Sequence, residues 1–206
     1  MASGICRGFV LTGGMSTRMG QDKALMEVRG RPLVLHVADA VQDAVHSVTL
    51  VGSMEKYGTL CLPVLEDREP GHGPLSGIHA ALKDTRTPLN LVVGCDMPFL
   101  HADFLQFLVQ VAMVADAQVT VAESLEFGFE ALCAVYNRDI LPAVEQAMIA
   151  GERKLSRLYE GLRVRSVSPD ECRPYNPHGF LFHNVNTPED FEQARLRLEM
   201  IARGAG

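Results

Sequence analysis

The amino-acid sequence predicts an α/β fold of three layers, α/β/α, around a Rossmann-like, mostly parallel sheet. Three observations predict it. Short apolar runs alternate with segments of helical periodicity along nearly the whole chain. One run, Leu89 to Gly94, is apolar enough for a central parallel strand covered on both faces. Hydrophobic residues make up 47% of 206, which supplies one sizeable core and suits one domain better than two. No repeat, low-complexity tract or linker divides the chain, so residues 1–206 read as a single domain.

The elements follow in order. Gly8 to Leu11 is the first strand, ending at Gly13-Gly14. Pro32 opens a helix with Leu33, Val37, Ala40 and Val41 on one face. Val48 to Val51 is the second strand and Leu62 to Leu65 a short third. Pro74 opens a helix to about Lys83, and the strand Leu89 to Gly94 comes next. A helix from about Ala102 to Val114 turns Phe104, Leu105, Leu108 and Val111 inward. Strands are expected over Ala117 to Ala122 and Ala131 to Tyr136. Asp139 is expected to cap a helix that Gly151 ends. Thr187-Pro188-Glu189-Asp190 opens the last helix, with Phe191, Ala194, Leu198 and Ile201 on one face.

Composition narrows the function classes. No stretch reaches the ~20 apolar residues of a membrane helix, and the first residues lack the pattern of a secretory signal. The five cysteines are an odd, scattered set without a C-x-x-C pair, which speaks for a reducing, cytoplasmic setting rather than a disulfide framework or zinc site. A net charge of -6 without any block of Lys or Arg disfavours nucleic acid and anionic membranes as partners. A polyanionic small substrate then requires cations placed locally.

In a parallel sheet, ligands sit beyond the carboxyl ends of the strands. Three loops there and a fourth segment further on carry the chemistry. In the first, Leu11 to Leu25, Gly13, Gly14 and Gly20 allow close backbone approach, and Ser16, Thr17, Arg18 and Lys23 suit phosphate oxygens. It is neither a Walker loop nor G-x-G-x-x-G. Glycines alone would mark only a flexible turn; the spacing of Arg18, Asp22 and Lys23 after a strand favours a site. In the second, Asp67 to Gly77, glycines and prolines shape a loop into a helix start, and Asp67 can accept hydrogen bonds from a base or ribose. The third is Cys95 to Phe99. Asp96, at the tip of the central strand, is placed to hold Mg²⁺ bridging NTP phosphates, against the plainer role of a turn former. Cys95 reads as a small buried side chain rather than a nucleophile, and His72 as a solvated loop residue. In the fourth, Asn184 and Asn186 are two apart and would face the same way in an extended chain, free to bind a heterocycle or phosphate; Thr187 caps a helix.

Together these segments resemble the molybdenum cofactor guanylyltransferases, within the nucleotidyltransferases of the nucleotide-diphosphosugar-transferase fold. The resemblance runs from about Gly8 to Phe191. It is carried by Leu11 to Leu25 (with Thr12 where the family usually has Ala), Glu66-Asp67 with Gly73 to Ile78, Cys95 to Pro98, and Asn184 to Asp190. The resemblance implies that Leu11, Thr12, Gly13, Lys23 and Asp67 bind GTP and that Asp96 binds GTP with Mg²⁺. A further family contact after the second strand, often Asn, falls here on Gly52 and Ser53. The family often has Pro after the position of Glu130, where this chain has Ala131. Gly13-Gly14 with Pro74-Leu75 leans towards guanine by analogy.

The implied reaction is attack by the terminal phosphate of molybdopterin, or its molybdenum-loaded form, on the α-phosphorus of GTP, with pyrophosphate released. Arg18, Lys23 and Asp96 would be the catalytic residues and Mg²⁺ the cofactor. The N-terminal part would bind the NTP, and the C-terminal part would form most of the acceptor site. The resemblance also implies transient contact with cofactor-biosynthesis proteins or molybdoenzymes. Sugar-1-phosphate and other small-molecule nucleotidyltransferases share this chemistry, and a catalytically silent nucleotide-binding protein is the alternative of another class.

Overall fold

The computed structural model describes residues 4–13, 22–67, 69 and 71–204. In chain order the elements are β1 (Cys6–Leu11), a small ribbon of β2 (Glu27–Val28) and β3 (Arg31–Pro32), α1 (Leu33–Val45), β4 (Val48–Val51), α2 (Met54–Tyr57), β5 (Val64–Leu65) and α3 (Pro74–Asp84). They continue as β6 (Leu89–Gly94), α4 (Ala102–Val114), β7 (Val119–Ser124), β8 (Gly128–Asn137), α5 (Leu141–Ile149), α6 (Leu155–Leu158), β9 (Val164–Val167), α7 (Pro169–Cys172) and α8 (Pro188–Gly204).

Seven strands form one sheet in the order β5-β4-β1-β6-β8-β7-β9. β8 alone runs against its neighbours, antiparallel to both β6 and β7; the remaining pairs are parallel. Strand alternation sorts the core into two layers. Val10, Leu91 and Val93 pack under α1 and α4, while Phe9, Leu11 and Val92 pack with α3 and α5 on the other face. A third cluster joins Val28, Leu33, Phe99, Val185 and Ala194, so α8 closes over the ribbon and the tip of β6.

Asn90 is the polar exception in β6. It is fully buried and donates from Nδ2 to Tyr136 O on β8 at 3.3 Å, which satisfies the amide a dry interior would otherwise leave exposed. Among the described residues no helix is long and apolar enough to cross a membrane.

Several boundaries differ from the sequence expectation, each for a local reason. β5 keeps only Val64–Leu65 of the four residues, and β7 begins at Val119 rather than Ala117. β8 starts three residues earlier than Ala131, at Gly128, because the hairpin from β7 is short. Asp139 does not cap α5: Asn137 accepts from the Asp139 amide at 3.3 Å and starts a 3-10 turn that leads into the helix. β9 had no expectation because Arg165 and Ser166 break its apolar pattern and only Val167 is fully buried. Thr187 does cap α8. Its hydroxyl accepts from Asp190 N at 3.1 Å, and Asp190 accepts in return from Thr187 N at 2.9 Å. Ile201, expected on the inward face, is 46% exposed beyond the end of the third cluster.

Candidate active site

A cavity of about 690 Å³ opens beyond the carboxyl ends of β1 and β4. Leu11, Thr12 and Gly13 contribute from β1, Gly52 and Ser53 from β4, Asp67 from beyond β5, and Gly73, Pro74 and Gly77 from the start of α3. Its walls are built around small residues. A Cβ on Gly52 would stand 1.9 Å from Thr12 Oγ1, and one on Gly77 would stand 2.9 Å from Leu11 Cδ1. Thr12 is itself pinned, its Oγ1 donating to Val51 O at 2.8 Å and its amide to the same oxygen at 3.0 Å.

The start of α3 faces this cavity. Gly73 precedes the helix at φ 61, a conformation side chains disfavour, and no side chain caps the first turn. The uncapped N–H groups and the helix dipole favour an oxygen-rich or anionic ligand there. The loop before it is fixed by Ser76, whose hydroxyl donates to Glu69 O at 2.8 Å and accepts from His72 N at 3.2 Å. Asp67 accepts from Glu69 N at 2.9 Å through one oxygen. Among the described residues two cations reach the cavity: Lys56, paired with Asp22 at 3.0 Å, and Arg153 from the segment after α5. Asp22 accepts also from Tyr57 OH at 2.9 Å and from Ala24 N at 3.1 Å.

A second cluster lies at the tip of β6. Lys23 Nζ stands 2.8 Å from Asp96 Oδ2, and both side chains are largely shielded, at 15% and 20% exposure. The same ammonium donates to Val185 O and to Asn186 Oδ1, each at 3.1 Å. Asp96 O accepts from Val185 N at 2.8 Å, which ties this strand tip to the segment before α8. All three ammonium donors are thus used. Neither Lys23 nor Asp96 lines the larger cavity.

A second concavity of about 330 Å³ lies between the β7–β8 hairpin and the segment leading to α8. Glu123, Ser124, Phe127, Arg173, Asn176 and His183 are among its walls. His183 Nε2 is buried there without a hydrogen-bond partner among the described residues.

The structure thus brings Leu11, Thr12, Gly13, Gly52, Ser53, Asp67 and Pro74 to one cavity, and Lys23, Asp96 and Asn186 to one cluster. Leu75 and Asn184 join neither of these groups with their side chains. Leu75 is fully buried in the core with Phe9 and Ile78, so its side chain forms no wall; it sits on the inward face of α3. The segment before α8 is not a strand: Asn184 Nδ2 donates to Phe182 O at 3.3 Å, while Asn186 Oδ1 accepts from Lys23 at 3.1 Å. Gly14 and Arg18 lie outside the described residues. Sequence reasoning missed Arg153, although Arg153-Lys154 just after a helix-ending glycine was a visible signal. It also missed the Lys56–Asp22–Tyr57 network.

Cys95 is buried under Asp96, and burial raises its thiol well above the ordinary range, as an inert packing residue requires.

The arrangement can hold a charged, oxygen-rich ligand over the β1–β4 strand ends and place a carboxylate and an ammonium beside it. Comparison with known proteins agrees in kind. The family model described as the MobA-like NTP transferase domain matches residues 8–167. A probable molybdenum cofactor guanylyltransferase of Pelotomaculum thermopropionicum is 36% identical, covering 96% of this chain and 95% of its own length. One of Carboxydothermus hydrogenoformans is 32% identical, covering 89% and 92%. Among solved structures, molybdopterin-guanine dinucleotide biosynthesis protein A from Archaeoglobus fulgidus superposes with a TM-score of 0.83 at 25% identity, covering 94% of this chain and 99% of its own.

Proposed function

Because the chain belongs to the MobA-like NTP transferase family, we propose that it transfers GMP from GTP to the terminal phosphate of molybdopterin or Mo-molybdopterin, releasing pyrophosphate. One observation carries the reading: a glycine-walled cavity and an uncapped helix start lie over the strand ends, beside a shielded Lys23–Asp96 pair. The relatives named above supply the substrate class.

In this reading the guanosine and phosphates of GTP occupy the larger cavity. Leu11, Thr12, Gly13, Gly52 and Ser53 line the nucleotide's path, and Asp67 and the backbone around Pro74-Leu75 read the base. The acceptor enters from the C-terminal half, towards Asn184, Asn186 and the 330 Å³ concavity. A phosphate nucleophile is already ionised near neutral pH, so no general base is needed. Catalysis is then positioning and charge stabilisation. Arg18 and Lys23 neutralise charge on the α-phosphate and the departing pyrophosphate. To reach phosphate, Lys23 gives up one of its three present acceptors.

The residues present fit Mg²⁺. Asp96 offers one shielded carboxylate, and no group of three His, Cys, Asp or Glu gathers among the described residues to form a protein-only cage. Magnesium characteristically takes one or two carboxylates and completes its shell with water and phosphates. Bound there, it would supply charge neutralisation across the triphosphate.

The test is pyrophosphate release with each of the four NTPs, Mg²⁺ and molybdopterin. GTP is expected to dominate. Equal or greater release from CTP or UTP would sink the guanine assignment.

A further inference from the structure

Glu130 on β8 is the one carboxylate whose burial the reading above does not use. It sits where the β7–β8 ladder slips: Val121 pairs with Ala134, yet the next residue, Ala122, pairs with Glu130. Residues 131–133 therefore bulge from β8, and they do so beside the carboxyl end of β6, where Val93 pairs with Cys133. The place is crowded around Asp96. A Cβ on Gly94 would meet Asp96 Oδ1 at 2.5 Å and Leu132 Cβ at 3.4 Å. Bulges commonly re-aim a side chain next to a site.

Here the bulge leaves Glu130 only 5% exposed, and its Oε1 is buried without a hydrogen-bond partner among the described residues. An unpaired buried oxygen of this kind is costly, so it persists where something else repays it. Among the described residues its surroundings supply no free base. Burial holds the carboxyl above the ordinary range, and the charges of Asp96 and Glu126 add to this, while a hydrogen bond from Ser124 opposes them. The one ammonium nearby in the cluster, Lys23, is occupied by three acceptors. Two acids with no free base beside them among the described residues, one with an unmet oxygen, suit a divalent cation.

We propose that Glu130 is a positioning residue for the divalent cation at Asp96, facing it from β8 as the second carboxylate. This rests on the metal reading given above and adds a residue to it.

The test titrates Mn²⁺ by electron paramagnetic resonance into protein saturated with a non-hydrolysable α,β-methylene analogue of GTP. Glu130→Gln keeps the shape and removes the charge. Its Mn²⁺ affinity should fall roughly 10- to 100-fold, the usual cost of losing an outer partner of a metal site. Affinity for the analogue in EDTA should stay within about twofold, since Glu130 is not among the groups assigned to the nucleotide and acts only through the cation. Wild-type Mn²⁺ affinity in a folded Glu130→Gln protein overturns the proposal. Asp96→Asn in the same titration separates the two readings. If it too binds Mn²⁺ normally, the metal site itself is misplaced; if it alone is weakened, only the role of Glu130 fails. A Mn²⁺ anomalous-scattering structure of the wild-type complex is the measurement that needs no variant. The carboxyl of Glu130 is expected within about 5 Å of the cation, the reach of an outer-sphere partner. A cation on Asp96 with Glu130 pointing elsewhere contradicts the proposal.

Discussion

Lys23 Nζ lies 2.8 Å from Asp96 Oδ2, so an ammonium occupies the carboxylate to which the proposed metal would bind. Cation and lysine then compete for Asp96 until a triphosphate draws the lysine away. Metal and nucleotide should therefore bind cooperatively. Lys23→Gln is expected to strengthen Mn²⁺ binding to the nucleotide-free protein and to weaken GTP binding by about tenfold or more, the scale of a lost charge-assisted contact. Calorimetry with each ligand alone and together checks this. Weaker Mn²⁺ binding in the variant would show that Lys23 organises the metal site instead of blocking it.

Gly52 leaves no room for a side chain against Thr12. Gly52→Ala should cost about 1–3 kcal/mol, the range for overpacking, and lower GTP affinity as the cavity wall shifts. Thr12→Ala removes the clashing oxygen, so the double variant should be less unstable than the sum of the singles. Strict additivity in chemical denaturation would mean the two walls relax independently.

Leu75 separates a backbone role from a side-chain one, since its side chain packs in the core beneath α3 and not in the cavity. Leu75→Ala should destabilise by about 2–5 kcal/mol, as large-to-small core changes do. The ranking of GTP over the other NTPs should be unchanged in the folded protein. A shift in that ranking without loss of stability would return Leu75 to the base pocket.

The cysteines divide by exposure. Cys61 is exposed, whereas Cys6, Cys95, Cys133 and Cys172 are buried; burial pushes the thiols of Cys6 and Cys172 up to about 12 and about 11. Thiolate is the reactive form, so iodoacetamide at about pH 8 should label Cys61 alone in the native protein. Peptide mass spectrometry reads this directly. Early labelling of Cys95, with the fold intact, would contradict its burial under Asp96.

Much of this architecture is legible in the sequence, and the failures have physical causes. β1, β4 and β6 are apolar because both faces of a parallel sheet are covered, and their ends announce the loops that follow. Sheet order and the reversed β8 depend on pairings far apart in sequence, which no local pattern encodes. Leu75 is legible as a core residue: with Ile78 and Leu82 it falls at i, i+3 and i+7, the inward face of α3, which leaves only its backbone to the loop motif. The segment holding Asn184 and Asn186 is irregular rather than a strand, and Val185 anchors it to the core and to Asp96 O, a tertiary contact that no local pattern encodes. Glu130, a lone acid leading an apolar strand, was visible as an anomaly; only the bulge beside β6 shows which residue it neighbours.

The central claim is that the α-phosphoryl group of GTP, with its guanosine, moves to the terminal phosphate of molybdopterin. GTP labelled at the α-phosphorus, incubated with Mg²⁺, molybdopterin and the protein, tests it most directly by following the label through chromatography and mass spectrometry. The account predicts that α-label appears in a guanine dinucleotide product, that γ-label leaves as pyrophosphate, and that folded Asp96→Asn protein forms this product at least about a hundredfold more slowly, a change of roughly 2.7 kcal/mol in the barrier. Transfer of the γ-label to the acceptor, or release of the α-label as free GMP with no acceptor adduct, would contradict it.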